Sequence, residues 1–337
     1  MLMNSSDPAT PSLAVIDDLD WWGLKYTAVR VALELDIFTT IAEGHCKLEE
    51  IAVATRASKR GARILLDALC PLGLLCKTQG EYFLTPTSEA FLVRGKSTYC
   101  ADAYLVLWRD RDQLMQAVRT GSATLDIPGP AAEEMWANYA AADLLTWPQS
   151  VVTAQERWTQ LGITKDTRPG WLVLDVACGS GVESFVLAQA DPHTRVVALD
   201  FPKVLSIATQ VAEMMGIREQ VSFLPGNLHA VEVPVEQFDA VLFGAILYYF
   251  NSEDVTAALR KTYHALKPGG LVVIRGVIAD EERCQNEMAL LGAIELLHDA
   301  PDGEVYAFSE YKAFLETVGF TDVTQYGDFL ISAKKYT

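Results

Sequence analysis

Trp171-Leu-Val-Leu-Asp-Val-Ala-Cys-Gly-Ser-Gly181 decides how the rest of the chain is read. Leu172 to Leu174 form a short apolar run of the kind that a strand buried on both faces shows. Asp175 follows, then the loop Ala177-Cys178-Gly179-Ser180-Gly181, then a helical pattern with Phe185, Leu187 and Ala188. A strand, a glycine turn and a helix N-terminus form a ligand cradle, because glycine has no Cβ to hold a ligand away from the backbone. The next apolar run, Arg195-Val-Val-Ala-Leu-Asp200, ends on a carboxylate nineteen residues after Gly181. An acid there can take both hydroxyls of a ribose.

Strands and helices alternate from residue 171 onward, the signature of an α/β fold with a doubly wound parallel sheet. Strands are expected at 171–175, 195–200, 221–224, 239–244 and 271–277. Ser252 is expected to cap a helix that Lys267-Pro-Gly-Gly270 stops, and Ser309 to Val318 to form the last helix. Val323 to Gln325 and Phe329 to Ala333, around Gly327-Asp328, read as a terminal hairpin. Ligands of such sheets sit beyond the carboxyl ends of the strands. Here those ends are Asp175 to Gly181, Asp200, Gly226-Asn227-Leu228 and Gly244 to Phe250. Glu183 and Ser184 stand where a dinucleotide fold wants a third glycine, and there is no Walker lysine. The acid at 200 and the polar Asn227 suit a nucleoside without a pyrophosphate, and Phe201 can pack on an adenine face.

Upstream, residues 13–42 read as helix with a bend at Asp36-Ile37-Phe38, Leu48 to Thr55 as a second helix, and a third begins after Ser58. Leu74 to Lys77 and Tyr82 to Leu84 form a hairpin around Gln79-Gly80. Three helices and a hairpin make a winged-helix order, which assigns a domain to residues 13–98. A winged helix can bind DNA, and Lys59, Arg60 and Arg63 open its third helix; the other reading is a module that packs only on protein. Residues 99–165 read as almost entirely helical, broken at Asp126 to Pro130, and carry Trp108, Trp136, Tyr139, Trp147 and Trp158. These aromatics suit core packing or a wall over a ligand cleft. Residues 166–337 make the third division.

The chain has 337 residues, with 27 Lys+Arg against 44 Asp+Glu, a net charge of −17. That acidity argues against a nucleic-acid or anionic-membrane surface and favours the protein-packing reading of the winged helix. The six cysteines form no C-x-x-C pair, which suits reduced thiols in a cytoplasmic protein. No apolar run reaches a membrane span, and the N-terminus has no signal-peptide pattern. Leu24, Val31, Leu35, Ile64 and Leu65 exceed what so small a helical module buries alone, which implies a homodimer through this region.

Asp175 to Gly181, Ala198-Leu-Asp200, Pro225-Gly-Asn-Leu228 and Leu266-Lys-Pro-Gly-Gly270 resemble the ordered motifs of class I S-adenosylmethionine-dependent methyltransferases. The winged-helix front, with Ala32 to Phe38 and Arg63 to Leu69, is similar to that of the small-molecule O-methyltransferase family. The resemblance runs from about residue 20 to the end of the chain. It implies a Rossmann-like catalytic domain behind a mostly α-helical winged-helix domain, and a methyl donor, S-adenosyl-L-methionine, that leaves as S-adenosyl-L-homocysteine. It further implies a small, aromatic or polycyclic metabolite as acceptor and a dimer. Gly179 and Gly181 would lie against the methionine part, Asp200 on the ribose hydroxyls and Asn227 at the adenine amino group, with Asp175, Phe201, Gly226, Leu228 and Gly244 around them. Ala177 replaces the family's first loop glycine.

Tyr248, in Ala245-Ile-Leu-Tyr-Tyr-Phe250, stands where the family usually carries a histidine that serves as general base. Ile246-Leu247-Tyr248 resembles the tetrapyrrole C-methyltransferase branch, so O-methylation is expected first, with C- and N-methylation close behind. Tyr248 can be a base or a pocket wall, although a free tyrosine titrates near 10 and is a poor base at neutral pH. Its ring joins Trp108, Trp136, Tyr139 and Trp147 as the expected acceptor pocket. His298, beside Asp299, is a second candidate base; with no third ligand in view, no metal is expected. Two other activities fit the same residues. One is a cofactor-binding enzyme of pericyclase or hydroxylase type that transfers no methyl group; the other is a winged-helix DNA-binding regulator.

Overall fold

A computed structural model describes residues 13–96, 99–102, 104–105, 114–123, 129–142, 144, 147–164 and 166–336. These form two compact units divided between residues 109 and 110.

The first unit holds α1 (Ala14–Glu34), α2 (Ile37–Ala42), α3 (Leu48–Ala54), α4 (Lys59–Leu69), β1 (Leu75–Thr78), β2 (Glu81–Leu84) and α5 (Pro86–Phe91). The expected bend falls at Asp36 alone, with φ 55, and residues 37 onward are again helical. Asp tolerates the left-handed region because its short side chain bonds locally; here its Oδ1 accepts the Thr39 hydroxyl at 2.6 Å. Ser58 caps α4, accepting the Gly61 N–H at 3.0 Å. Gln79 and Gly80, both at positive φ, make the two-residue hairpin turn between paired Thr78 and Glu81, a twist that suits antiparallel strands. Asp67 fastens the hairpin to α4 by accepting from Tyr82 at 2.7 Å and Lys77 at 2.8 Å.

Phe38, Ile51, Leu66, Leu69, Leu75 and Tyr82 are buried together. Leu35 and Leu65, expected as surplus apolar surface, pack against this core. Leu24, Val31 and Ile64 stay exposed, and α1 adds Ile16, Leu19, Trp21 and Trp22, each more than half exposed. The basic cluster is largely neutralised inside the unit, since Lys59 pairs with Glu49 and Arg63 with Asp67.

The second unit opens with α6 (Leu114–Thr120), α7 (Gly129–Ala142) and α8 (Trp147–Gln160). Then come β3 (Leu172–Val176), α9 (Val182–Ala190), β4 (Arg195–Asp200), α10 (Pro202–Met214), β5 (Val221–Pro225) and β6 (Phe238–Gly244). The chain closes with α11 (Ser252–Ala265), β7 (Leu266–Arg275), α12 (Glu287–Asp299), α13 (Phe308–Val318), β8 (Phe320–Tyr326) and β9 (Leu330–Lys335). The seven strands run in the order β5-β4-β3-β6-β7-β9-β8. β3 to β7 are parallel, β9 is antiparallel to β7, and β8 to β9. The chain winds outward from β3 to β5, then returns to β6 on the other side of β3. That reversal leaves a crevice above the carboxyl ends of β3 and β6.

Two local expectations change. Asn251, not Ser252, caps α11, accepting the Asp254 N–H at 2.9 Å. Lys267-Pro-Gly-Gly270 does not lie between helix and strand; α11 ends at Ala265 and the four residues belong to β7. Phe238 pairs with Leu266 but Ala240 with Leu271, so Pro268-Gly269-Gly270 bulge out of the ladder. Gly269 is at φ 74, and a Cβ at Gly270 would stand 2.9 Å from the Lys267 carbonyl, so the bulge needs its glycines. Lys267 reaches back to both carboxylate oxygens of Asp239 at 2.8 Å.

Candidate active site

The first wall of the crevice is the loop from β3 to α9. Ala177, Gly179 and Gly181 all have positive φ. A Cβ at Gly181 would lie 2.3 Å from the Phe185 ring, so no other residue fits that turn. At Gly179 a Cβ would meet nothing within 4 Å, so this backbone faces open space. Ala177, at φ 54, occupies the same left-handed region with a side chain. Left-handed alanine costs about 1–2 kcal/mol, and glycine loses roughly 0.5–1 kcal/mol in chain entropy. Ala177→Gly is therefore expected to stabilise the protein by up to about 1 kcal/mol, seen as a Tm rise of roughly 2–4 °C in a thermal melt. An unchanged or lower Tm would contradict this.

Asp200 ends β4 against that loop and is buried. Its Oδ2 accepts the Gly179 N–H at 2.9 Å and its Oδ1 the Phe201 N–H at 2.7 Å. Burial raises its pKa, and these two N–H donors oppose the rise. Each carboxylate oxygen keeps a free lone pair. Asp175 lies deeper, 1% exposed, with the Ser184 hydroxyl donating to its Oδ2 at 2.5 Å. Burial pushes its pKa up to about 7 against that hydrogen bond. On the β5 side, Gly226 has φ 145 and donates to the Asp200 carbonyl at 2.9 Å. Asn227 is exposed, its Oδ1 accepting the His229 N–H at 2.9 Å, and Leu228 is buried below it.

Beyond β6, Gly244 leads into Ala245, at φ 59, and a short 3₁₀ turn over Leu247–Tyr249. The Tyr248 ring lies on Gly276, where a Cβ would come within 3.1 Å of it. It also packs against a cluster of Ala279, Leu296 and Val305. Burial raises the phenol above its ordinary value, and Arg275 pulls it back.

The aromatics divide. Trp136 stands edge-on to Tyr249, centroids 5.0 Å apart, and tilted to Tyr139 at 5.7 Å; Tyr248 and Tyr249 are 4.9 Å apart. Trp136 and Phe201 both pack on Ala137, Ala140 and Val204, so α7 lies against the start of α10. Glu133 and Glu134 fasten that contact through the Lys203 N–H at 2.8 Å and Nζ at 2.5 Å. Trp158 is instead a core residue, donating to the Glu183 carbonyl at 2.6 Å. It borders a cavity of about 210 Å³ with Trp171, Arg168 and Thr194, at the amino ends of β3 and β4 and remote from the crevice. Trp108 lies outside the described residues, as do the side chains of Trp147 and His298, in the first turn of α8 and the last of α12. Among the described residues, no three His, Cys, Asp or Glu side chains gather as a metal site.

Tyr249 and a charged group at the strand ends were not among the expected site residues. Glu183, in the first turn of α9, takes Nε of Arg157 at 2.7 Å and also its Nη2. Arg275, the last residue of β7, stands 3.3 Å from the same carboxylate. Its signal was present: one charged residue closes the otherwise apolar run Leu271 to Ile274 at a carboxyl end.

Residues 164–321 match the model of the O-methyltransferase domain, and residues 24–94 that of the O-methyltransferase dimerisation domain. The chain belongs to this family. It is an S-adenosylmethionine-dependent methyltransferase with the Rossmann-like fold and the helical front that the motifs implied. It is 29% identical over 308 residues to the tetracenomycin polyketide synthesis 8-O-methyl transferase of Streptomyces glaucescens, covering 88% of each chain. It is 26% identical to the 3-hydroxy-5-methyl-1-naphthoate 3-O-methyltransferase of Streptomyces sahachiroi, over 95% of this chain and 93% of that one. Human N-acetylserotonin methyltransferase, solved with S-adenosylmethionine, shares the fold at TM-score 0.75 and 23% identity, over 99% of this chain and 100% of that one. The matched dimerisation domain contains the exposed apolar residues Leu24, Val31 and Ile64. No described helix is long and apolar enough to cross a membrane.

Proposed function

We propose that this methyltransferase acts on an oxygen of a small aromatic or polycyclic metabolite. The observation that carries the reading is the run of touching rings Trp136, Tyr139, Tyr249 and Tyr248 beside the Asp200 cradle. Both Streptomyces relatives, by name, are O-methyltransferases, one of them for a naphthoate.

The crevice fits the methyl donor. A buried carboxylate with free lone pairs faces a glycine backbone on open space, and Phe201 flanks it. Asp200 would hold the ribose hydroxyls. Phe201, Asn227 and Leu228 would hold the base, and Gly179, Gly181, Gly226 and Gly244 would give backbone clearance. Asp175 supports the loop through Ser184. When bound, the cofactor supplies a methyl group on a sulfonium, already activated for transfer. The chain's task is to hold the acceptor in line and to exclude water.

Tyr248 serves as wall rather than base. A phenol with its pKa above 10 is ionised in fewer than about one molecule in a thousand at pH 7. Tyr248→Phe keeps the ring on Gly276, so single-turnover methylation is expected to stay within about fivefold of the native rate. A fall of about 10²–10⁴ would instead assign proton removal to this hydroxyl. The lack of an ionised base at 248 also suits a nucleophilic ring carbon, which is the second reading. Methyl-labelled donor, incubated with hydroxynaphthoates and hydroxyanthraquinones, separates the two. A methyl ether formed one-for-one with S-adenosylhomocysteine is expected; a C–CH₃ product would select carbon, and donor turnover without a methylated product would exclude both.

Residues 13–98 are proposed to make the homodimer, 99–165 to contribute the acceptor wall and 166–337 to bind the donor, in a reduced cytoplasmic setting that suits six free cysteines. Trp21, Trp22 and Leu24 are too apolar to stay in water. Light scattering is expected to give about twice the chain mass of 37.0 kDa, and Trp21→Glu with Trp22→Glu to halve it. A native species of single-chain mass at micromolar concentration would refute this.

A further inference from the structure

Two guanidinium groups share one carboxylate at the carboxyl ends of the central strands. Arg157 grips Glu183 with two of its nitrogens. The Arg275 Nε lies within ion-pair distance of the same carboxylate at 3.3 Å, yet it is buried without making a hydrogen bond. Its Nη2 lies beside Gly244, 3.5 Å from where a Cβ would stand, and a third of the side chain stays accessible. Asp175 also feels Arg275, and burial leaves it only partly ionised near neutral pH. The group therefore carries surplus positive charge in a chain of net charge −17. That surplus sits beside Gly244 and Tyr248, at the strand ends where ligands of this fold bind.

We propose that Arg275 is the anion-binding residue of the crevice: its guanidinium, only partly neutralised by Glu183, takes a carboxylate oxygen of a bound ligand beside Gly244. The inference rests on reading the crevice as the donor and acceptor site. A guanidinium suits the task because it offers several donors in one plane and stays charged when partly buried. A carboxylate can come from the amino-acid tail of the methyl donor or from an acidic group on the acceptor.

Calorimetry on Arg275→Met and Arg275→Lys distinguishes the two sources. The four probes are S-adenosylhomocysteine, 5′-methylthioadenosine (the same thioether nucleoside without the amino-acid tail) and, on S-adenosylhomocysteine-saturated protein, 1-naphthoate and 1-naphthol. Arg275→Met is expected to weaken one carboxylate ligand at least tenfold and to leave methylthioadenosine and naphthol within twofold. Arg275→Lys should recover part of the loss. A loss confined to S-adenosylhomocysteine names the donor tail, and a loss confined to naphthoate names the acceptor. Unchanged affinity for both carboxylates, or an equal loss for methylthioadenosine, would overturn the proposal. If the Met variant does not fold, the Lys variant decides by the same comparison with a smaller factor. Failure of methylthioadenosine to bind the native enzyme would instead reject the nucleoside cradle itself, so the two failures are distinguishable.

Discussion

Asp200→Ala is expected to lower S-adenosylhomocysteine affinity by about 10²–10⁴-fold. Charge-assisted hydrogen bonds are each worth roughly 1.5–3 kcal/mol, and a ribose diol makes two of them. The substitution also frees the Gly179 and Phe201 N–H groups that Asp200 now holds, so the loop loses its register as the ligand loses its acceptor. Asp200→Asn separates these effects. One amide oxygen can still accept one of these N–H groups while the NH2 meets the other, so the fold should melt closer to the native temperature than the Ala variant while affinity still falls with the lost charge. Calorimetry gives the affinities, and native-like binding by the Ala variant would remove Asp200 from the cradle.

The second large effect is a pH dependence centred on Asp175. Its pKa in the fold is about 7, raised by burial, against roughly 3.9 in an unfolded chain. The folded state therefore binds this proton more tightly than the unfolded state. Its contribution favours folding most below about pH 4, declines as pH rises from 4 to 7, and is level above 7. The decline amounts to on the order of 4 kcal/mol for this one group. Asp175→Asn has no proton to lose. Denaturant melts of the two proteins should show the Asn variant gaining on the native chain across that window, and then running parallel to it. Parallel curves throughout would mean that Asp175 is ionised in the fold at all these values. Ser184→Ala, which removes the hydroxyl that stabilises the charged form, should push the window to still higher pH.

The cradle was legible because its signals are local. Leu172 to Leu174 is apolar because β3 is covered on both faces, and the positive φ at Gly179 and Gly181 is what the glycines had indicated. The strand ends were legible for the same reason, since each apolar run stops where the backbone meets the crevice. What stayed hidden depends on contacts across the sequence. Arg157, Glu183 and Arg275 stand 118 residues apart from first to last, and nothing in any one segment says that they meet. Trp136 and Trp158 look alike as letters. One joins the ring cluster because α7 lies on α10, and the other is buried against α9. The Lys267-Pro-Gly-Gly270 bulge defeated a local rule, since a proline-glycine stretch usually stops an element, yet here the ladder closes around it.

Gly276 has a reach larger than its size. The Tyr248 ring rests on the spot its β-carbon would fill. Positions 248 and 276 therefore behave as one steric unit. Any side chain at 276 must displace the ring, and a smaller residue at 248 makes room for one at 276. Changes at the two sites cannot add independently. A lineage or a laboratory selection that reshapes the surroundings of position 248 must therefore move through the pair.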